Sequence, residues 1–474
     1  MNLDLPTTST RNLIDIASVV DDQQFRWFNL KLVLLCWLVI FCDGYDIYAI
    51  SYVGPAVARE WHITAAALGP IFSSSMFAYL VSVPLSAYCS DRFGRKPIMV
   101  ICVVVICLSS FGSMFATGVT SLFVLRLLTG FGLGAVTPPT ITHCAEFAPQ
   151  RMRGRLVILM YSGINFGGVA AGIAAASLLT HFGWRAIFFV GGFMPGVAAI
   201  LLVLFLPESI KFLALQEGDH DEVARMVRIM APSVPVTGET RFTIAAEPKK
   251  IRFRLALLFS NGFGGVTSSV WAMFIFSYMG LFFVQSWLNF VLRAAGMTPA
   301  QAAVASSMLA LGGILGGGVL SWFIDRFGMV AVAFFSLLFG VTTAGIGASV
   351  GSRVLLFVVI ALAGFTGHAV LFGMNAVASS IYPTSFRTSA MGAALLVSRI
   401  GAVLGPIIGG HLIGMKLSIP KVFLFPLIPS SICMVVALLL ARLFYKRFHG
   451  IGIPAPEREN AQAVLTAAHA SFGE

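Results

Sequence analysis

The chain has 474 residues, of which 58% are hydrophobic and only 11% are charged, and its mean hydropathy is +0.90. A soluble globular domain normally carries about 25% charged residues, so this composition excludes a soluble protein and indicates an integral membrane protein. The net charge of +11 would suit a nucleic-acid or anionic-lipid partner, and the positions of the cations decide between these two.

Twelve apolar runs are long enough to span a bilayer, because each approaches the roughly 20 residues that a hydrocarbon core of about 30 Å requires. They begin near positions 29, 68, 97, 120, 156, 185, 266, 299, 329, 354, 389 and 422. If the N-terminus is cytoplasmic, 23 of the 31 Lys and Arg residues fall in inner segments, six fall in outer loops and two fall within runs. The positive-inside rule therefore predicts that both termini are cytoplasmic and argues against a nucleic-acid partner.

The polar breaks predict an all-α membrane protein built from two six-helix halves. The predicted divisions are a cytoplasmic N-terminal segment over 1–26, one half over 27–206, a cytoplasmic linker with a short amphipathic helix over 207–254, the other half over 255–446, and a cytoplasmic tail over 447–474. The first run is expected to act as an uncleaved targeting element. All seven cysteines lie in or beside apolar runs without a CxxC pair, which is typical of small core residues.

The first run contains two carboxylates near its middle, Asp43 and Asp46. A central Asp costs roughly 2.5 to 3.5 kcal/mol in lipid, so such residues usually face a bundle interior or a wet cavity and carry protons or ions. The two lie three residues apart on adjacent parts of one helix face, where like charges do not both ionise easily. We predict that they form the proton-coupling site; a pair merely hydrogen-bonded across the bundle is the structural alternative.

Two arginines lie within apolar runs. Arg126, in the fourth run, lies at a depth that matches Asp43 and Asp46, so it can pair with one of them, either to tune the proton site or to hold two helices together. Arg399 lies about ten residues into the eleventh run, close to the membrane midplane. Because a guanidinium stays charged and binds a carboxylate through two parallel hydrogen bonds, Arg399 is the leading candidate to receive an anionic substrate.

Other polar and aromatic residues of the runs are candidates for substrate contact. Aromatic residues crowd the seventh run, as a planar ring ligand would require, although lipid-facing packing accounts for most of these rings. His368 is also a candidate proton relay, and a histidine hydrogen-bonded within the core is the commoner arrangement. Together with Arg126 and Arg399, the predicted substrate-binding residues are Tyr45, Tyr161, Asn165, Trp271, His368 and Asn375.

The two halves repeat one another in sequence. When Asp-Arg-Phe-Gly at 91–94 is aligned with the same sequence at 325–328, Gly130, Pro149 and Arg153 fall on Gly364, Pro383 and Arg387 in one register, which we call the repeat register. A compact Asp-Arg-x-Gly-Arg loop can clamp neighbouring helix ends in one state and release them in another, whereas two basic cytoplasmic turns are the simpler alternative. The predicted gating residues are Asp91, Arg92, Gly94, Arg95, Lys96, Asp325 and Arg326.

These motifs resemble those of a known family. The loop at 91–96, the Gly-rich fourth run at 126–134, and the sequences at 146–154 and 207–209 resemble signatures of the major facilitator superfamily, whose fold has two six-helix halves that rock about a midplane site. Asp-Gly-Tyr-Asp at 43–46 resembles the Asp-Gly-x-Asp motif of its aromatic acid:proton symporter family. Two departures are Asn289, where the family pattern has Pro, and Met329-Val330, where basic residues are expected.

The resemblance implies a multi-pass importer of small aromatic carboxylates in a bacterial inner membrane, acting as a monomer with a proton as coupling ion and no other cofactor. A symporter of another organic acid, a sugar or another metabolite is the nearest alternative. A drug exporter is disfavoured because 163–168 contains no proline, and a membrane sensor because 442–474 is too short for an output domain. The sequence has no nucleotide-binding loop, metal-ligand cluster or nucleophile triad, so we predict that it is not an enzyme.

Overall fold

The computed structural model describes residues 13–215, 220–232, 236, 240–243, 258–259, 263–382 and 387–448. Its first elements are β1 (Leu13–Asp15) and α1 (Ile16–Asp22). The first half then comprises α2 (Trp27–Glu60), α3 (Ala65–Phe93), α4 (Arg95–Met114), α5 (Val119–Glu146), α6 (Gln150–Tyr161), α7 (Gly163–Phe182) and α8 (Arg185–Phe205). Between the halves lie α9 (Ile210–Leu215), α10 (His220–Met230) and β2 (Arg241–Thr243).

The second half comprises α11 (Gly264–Ala294), α12 (Pro299–Phe327), α13 (Met329–Ala348), α14 (Arg353–Ile381), α15 (Arg387–Gly414), α16 (Ile419–Phe423) and α17 (Leu427–Phe448). Among the described residues, twelve segments are long and apolar enough to cross a membrane, with α6 and α7 forming the fifth and α16 and α17 the twelfth. The predicted all-α membrane fold with twelve spans is therefore confirmed, and two three-residue strands are added to it. Pro383, residues 244–254 of the linker and the tail beyond 448 lie outside the described residues.

The sequence repeat is also a repeat of helix packing. Gly130 in α5 lies against the backbone carbonyl of Ser75 in α3, and Gly364 in α14 lies against the carbonyl of Leu309 in α12. In the repeat register, Gly130 falls on Gly364 and Ser75 falls on Leu309. Any side chain at either glycine would strike backbone, so glycine lets the two helices approach closely.

A second pair of glycines follows the same rule. Gly167 in α7 faces the carbonyl of Phe41 in α2, and Gly401 in α15 faces the carbonyl of Ile275 in α11. The repeat register again aligns both members of the first contact with both members of the second. These contacts join the helices of one half to each other, so the two halves are built on the same internal scaffold.

We call the end of the bundle where the described chain begins and ends, near residues 13 and 448, the terminal face, and the other end the opposite face. The two halves pack together at the opposite face. There the Ser73 hydroxyl donates to the Val403 carbonyl at 2.8 Å, and the rings of Phe72 and Trp287 meet edge to face at 5.1 Å. Near the terminal face, the hydrophobic clusters divide by half, and Met76 is the only buried residue among their described members that packs with the other half. The bundle is thus closed at the opposite face.

Residues from before the first span pack with the linker on the first half. Strand β1 pairs in parallel with β2, and Val19 of α1 shares a hydrophobic cluster with Met226 of α10, which is the predicted amphipathic linker helix. The Gln23 side chain donates to the carbonyl of Phe147 at 3.0 Å and accepts from Asn29 at 2.8 Å. The first part of the linker therefore belongs structurally to the first half.

Candidate functional site

The predicted ion pair of Arg126 is present, and its partner is Asp46. An Arg126 Nη1 to Asp46 Oδ1 distance of 2.7 Å joins α5 to α2, with both side chains at most 4% exposed. The second guanidinium nitrogen donates to the Ser113 hydroxyl at 2.9 Å, and the guanidinium lies 4.7 Å from the centre of the Phe188 ring. The Asp46 carboxylate is thus buried within the first half and paired with the Arg126 guanidinium.

Asp43 has different surroundings. Its side chain is buried, and its Oδ1 atom has no hydrogen-bond partner among the described residues. It lies within electrostatic range of Arg399 in the second half. Three residues turn a helix by about 300°, so the two carboxylates face different neighbours. As the sequence analysis allowed, Arg126 pairs with only one of the two acids, so among the described residues only Asp46 has an arginine partner at ion-pair distance.

Arg399 is held by aromatic faces. Its guanidinium lies 4.0 Å from the centre of the Tyr79 ring and 5.6 Å from that of Tyr278, and it interacts electrostatically with Asp43 and Tyr161. No carboxylate of the described residues lies within ion-pair distance of it. Cation–π contacts stabilise the charge, and the only hydrogen-bond acceptor recorded for the guanidinium among the described residues is the Met76 sulfur at 4.0 Å, which leaves capacity for a carboxylate.

The cluster around Arg399 contains three predicted residues and two that the sequence did not single out. Asp43, Tyr161 and Arg399 were predicted, whereas Tyr79 and Tyr278 were not. Tyr278 belongs to a row of stacked rings on α11, with Phe274 and Phe282 at centroid distances of 6.5 and 5.9 Å. The aromatic content of the seventh run was the available indication, but it does not specify which ring reaches Arg399.

Two further predicted residues, Asn165 of α7 and His368 of α14, meet beside Gly313 of α12. A Cβ atom at Gly313 would lie 2.7 Å from His368 Nδ1 and 2.9 Å from Asn165 Oδ1. The absence of a side chain at this position therefore allows residues from the two halves to share one place. Both side chains are buried.

The other predicted substrate contacts have partners elsewhere. The Tyr45 hydroxyl donates to the Ile187 carbonyl at 3.1 Å within the first half. The Trp271 ring meets Phe259 edge to face at 5.3 Å, and the Asn375 side chain donates to a carbonyl of its own helix at 2.8 Å. In the described part of the chain, none of the three forms a hydrogen bond or a ring contact with Arg399.

The loop at 91–96 is held by two glutamates, Glu146 of α5 and Glu208 at the start of the linker. Arg95 pairs with Glu146 at 3.2 Å and with the exposed Asp91 at 3.4 Å. Glu208 Oε1 accepts the backbone N–H groups of Arg95 and Lys96 at 2.9 and 3.2 Å. This carboxylate caps the positive N-terminus of α4, a role that the preceding residue, Gly94, has no side chain to perform.

The remaining predicted gating residues make weaker contacts. Arg92 is exposed and donates to the Tyr88 hydroxyl at 3.4 Å, and Arg326 lies 5.9 Å from the centre of the Phe327 ring. The side chain of Asp325 lies outside those that the structure describes. Gly94 and Gly328 both adopt positive φ, at +99° and +56°, so the backbone of each loop favours glycine at this position.

The chain is similar to known proteins over most of its length. The family model of the Major Facilitator Superfamily matches residues 36–290 and 270–472. A 4-hydroxybenzoate transporter, PcaK, of Pseudomonas putida is 32% identical over 425 residues, covering 89% of this chain and 94% of that protein. A gallate transporter of the same species is 30% identical over 413 residues, covering 86% and 91%. A benzoate transport protein of Acinetobacter baylyi is 26% identical over 434 residues, covering 90% and 92%.

Solved structures share the fold at low identity. A bacterial homologue of the human lysosomal transporter Spinster, in an inward-facing and occupied conformation, aligns with a TM-score of 0.66 at 16% identity over 92% of this chain and all of the other. A D-xylose-proton symporter aligns with a TM-score of 0.65 at 17% identity, over 87% and 97%.

Proposed function

The chain belongs to the major facilitator superfamily, in its branch of aromatic acid transporters, and on that basis we propose that it imports a small aromatic carboxylate together with a proton. It is a multi-pass protein of the cell membrane and a transporter, not an enzyme. The substrate, the direction of transport and the coupling ion are the parts of this statement that we propose.

The environment of Arg399 carries the proposal. A half-buried guanidinium within a membrane-spanning helix that has no carboxylate of the described residues at ion-pair distance favours binding of an anion, and the Tyr79 and Tyr278 rings beside it offer apolar surface against which an aromatic ring can pack. A benzoate-like molecule satisfies both requirements, because its carboxylate fits the guanidinium fork and its ring fits the apolar walls. A sugar supplies no charge for Arg399.

The proposed coupling of proton and substrate follows from the electrostatic interaction between Asp43 and Arg399. An ionised Asp43 partly neutralises Arg399, so the substrate carboxylate and the Asp43 carboxylate compete for one positive charge. A proton on Asp43 removes that competitor, and it also relieves the cost of burying a charged carboxylate that lacks a full set of donors. Protonated Asp43 and bound substrate therefore favour each other, as symport requires.

Alternating access places this site between two gates. The halves are packed together at the opposite face and separate into their own clusters towards the terminal face. With the termini in the cytoplasm, as the positive-inside rule predicts, this arrangement corresponds to a state from which substrate is released inward.

Reconstituted proteoliposomes with an imposed pH gradient test the proposal. We expect labelled benzoate or hydroxybenzoate to accumulate when the outside is acidic, and we expect labelled hexose not to accumulate. The Arg399→Lys variant keeps the charge but loses the planar fork, so its KM for the carboxylate should rise by about tenfold or more. Accumulation of the hexose, or equal aromatic uptake with and without the gradient, would contradict proton-coupled aromatic transport.

A further inference from the structure

Asn165 and His368, which both pack against Gly313, have unused hydrogen-bonding capacity. Asn165 Oδ1 is buried without a partner in the described part of the chain. Nitrogen Nδ1 of His368 lies 2.9 Å from the Gly364 carbonyl. Because a carbonyl only accepts, Nδ1 carries the hydrogen, and Nε2 of the neutral ring is then an acceptor.

Two acceptors on side chains that both pack against Gly313 are left without a donor in the described part of the chain. Among the described residues, no hydrogen bond is made by His368 Nε2, and none satisfies Asn165 Oδ1. An unfilled buried acceptor costs about 1 to 3 kcal/mol, so a ligand that brings a hydrogen-bond donor gains what the free protein lacks. A hydroxyl group on an aromatic ring is such a donor, whereas an unsubstituted ring edge is not.

The repeat shows where these residues stand relative to Arg399. In the repeat register Asn165 falls on Arg399, so the two occupy the same position in the two halves. Parallel repeats are related by an axis along the membrane normal, which places equivalent residues at the same depth on opposite sides of the centre. Tyr161, one helical turn or about 6 Å before Asn165, already interacts with Arg399.

The neighbours of the two positions are equivalent but reversed in size. In the first half, Tyr79 of α3 packs on Gly134 of α5; in the second half, Gly313 and His368 take those same two places. The large side chain thus comes from α3 beside Arg399 and from α14 beside Asn165. This exchange puts an aromatic wall at one side of the site and an imidazole acceptor at the other.

We propose that Asn165 and His368 form a subsite that binds a hydroxyl group on the ring of the substrate while Arg399 holds its carboxylate. This inference rests on the proposed function and adds a substituent preference to it. A ring that carries both groups contacts both halves at once, which favours closure of the halves around it. An unsubstituted benzoate leaves the acceptors of the subsite unpaired.

The test measures kcat/KM for 4-hydroxybenzoate and for benzoate in the same proteoliposome preparation. The His368→Phe variant keeps a ring but has no acceptor, and the Asn165→Leu variant keeps the shape but has no amide. We expect each to lower the preference for the hydroxylated substrate by about tenfold, mainly through slower uptake of that substrate. Because both substrates are measured on one preparation, a loss of folded protein cancels from the ratio.

Two controls separate this role from packing. The His368→Gln variant restores an acceptor and should keep most of the preference. The Thr366→Val variant removes a hydroxyl from the same helix, one that bonds its own backbone at 2.8 Å, and should leave the ratio unchanged. An unchanged ratio in both His368→Phe and Asn165→Leu would overturn the subsite, whereas failure of the unmodified protein to transport either acid would overturn the proposed function itself.

Discussion

Single side chains decide the chemistry of the first span. Asp43 and Asp46 share one helix and one residue type, yet Asp46 faces an arginine at 2.7 Å and Asp43 faces a site that lacks such a partner. Their spacing predicts closeness but not which neighbour each meets, because the angle between them around the helix axis points them at different helices. Only the assembled bundle shows which of the two acids has an arginine partner, and we propose that the other, Asp43, exchanges the proton.

The Asp43→Asn variant tests that distinction. Since an amide cannot take up or release a proton here, we expect accumulation driven by the pH gradient to fall by about tenfold or more. Exchange of labelled for unlabelled substrate across the membrane should continue, because Arg399 is then permanently free of a competing charge. Counterflow measured beside gradient-driven uptake reports both quantities, and normal gradient-driven accumulation would remove Asp43 from the mechanism.

The Asp46→Asn variant should fail in a different way. It leaves the buried Arg126 charge without a partner, which typically costs about 3 to 5 kcal/mol of stability. Adding Arg126→Gln removes that charge, so the double variant should recover much of the lost thermal stability in detergent. A double-mutant cycle on the melting temperature measures the coupling, and additive losses would show that the pair does not act as a unit.

At several helix contacts in this protein, a glycine lets the backbones of two helices approach closely. Twelve spans, their order and the two-half division could be predicted because apolar length and charge are properties of local sequence. The glycine contacts at 130 and 364 were visible in the sequence only as an aligned pair. Which backbone each one touches depends on helix crossing, and the strands β1 and β2 were not predicted because three residues give no periodicity.

Two glycines of α15 provide a matched test of this packing. Gly401 faces the Ile275 carbonyl, whereas a Cβ at Gly392 would have no atom within 4 Å. The Gly401→Ala variant should therefore separate α15 from α11 and lower stability by about 1 to 3 kcal/mol. The Gly392→Ala variant should be neutral or slightly stabilising, since alanine favours helix by roughly 1 kcal/mol. Thermal unfolding of both variants in one detergent measures the difference. Equal losses of stability would contradict the role of Gly401 in packing α15 against α11.

For the transporter as a unit, the proposed alternating access makes the opposite face, where the halves pack together, a gate that is closed in this conformation. Replacing Ser73 and Val403 by cysteine in a background without native cysteines puts two thiols across the packed halves, where the present side chain and backbone lie 2.8 Å apart. Oxidation should block transport, and a reductant should restore it, because the gate must open in each cycle. Continued transport by fully cross-linked protein would show that this face does not open.

The site itself was only partly predictable. Arg399, Arg126 and the two acids stand out because charges in apolar runs are rare. Tyr79 and Tyr278 do not stand out, since aromatic residues are abundant throughout, and Tyr45 and Trp271 were equally plausible from sequence. Packing against the Arg399 guanidinium, rather than residue type, separates Tyr79 and Tyr278 from the other rings.

The parallel pairing of Leu13–Asp15 with Arg241–Thr243 has a consequence for biosynthesis. Nearly half of the chain separates these partners, so the early strand leaves the ribosome long before its mate exists and must wait through the insertion of six helices. Pairing of β1 with β2 therefore takes place only after all six spans of the first half have been synthesised. An affinity tag fused close to residue 13 would interfere with that late event, which makes the carboxyl end the better place for a purification handle.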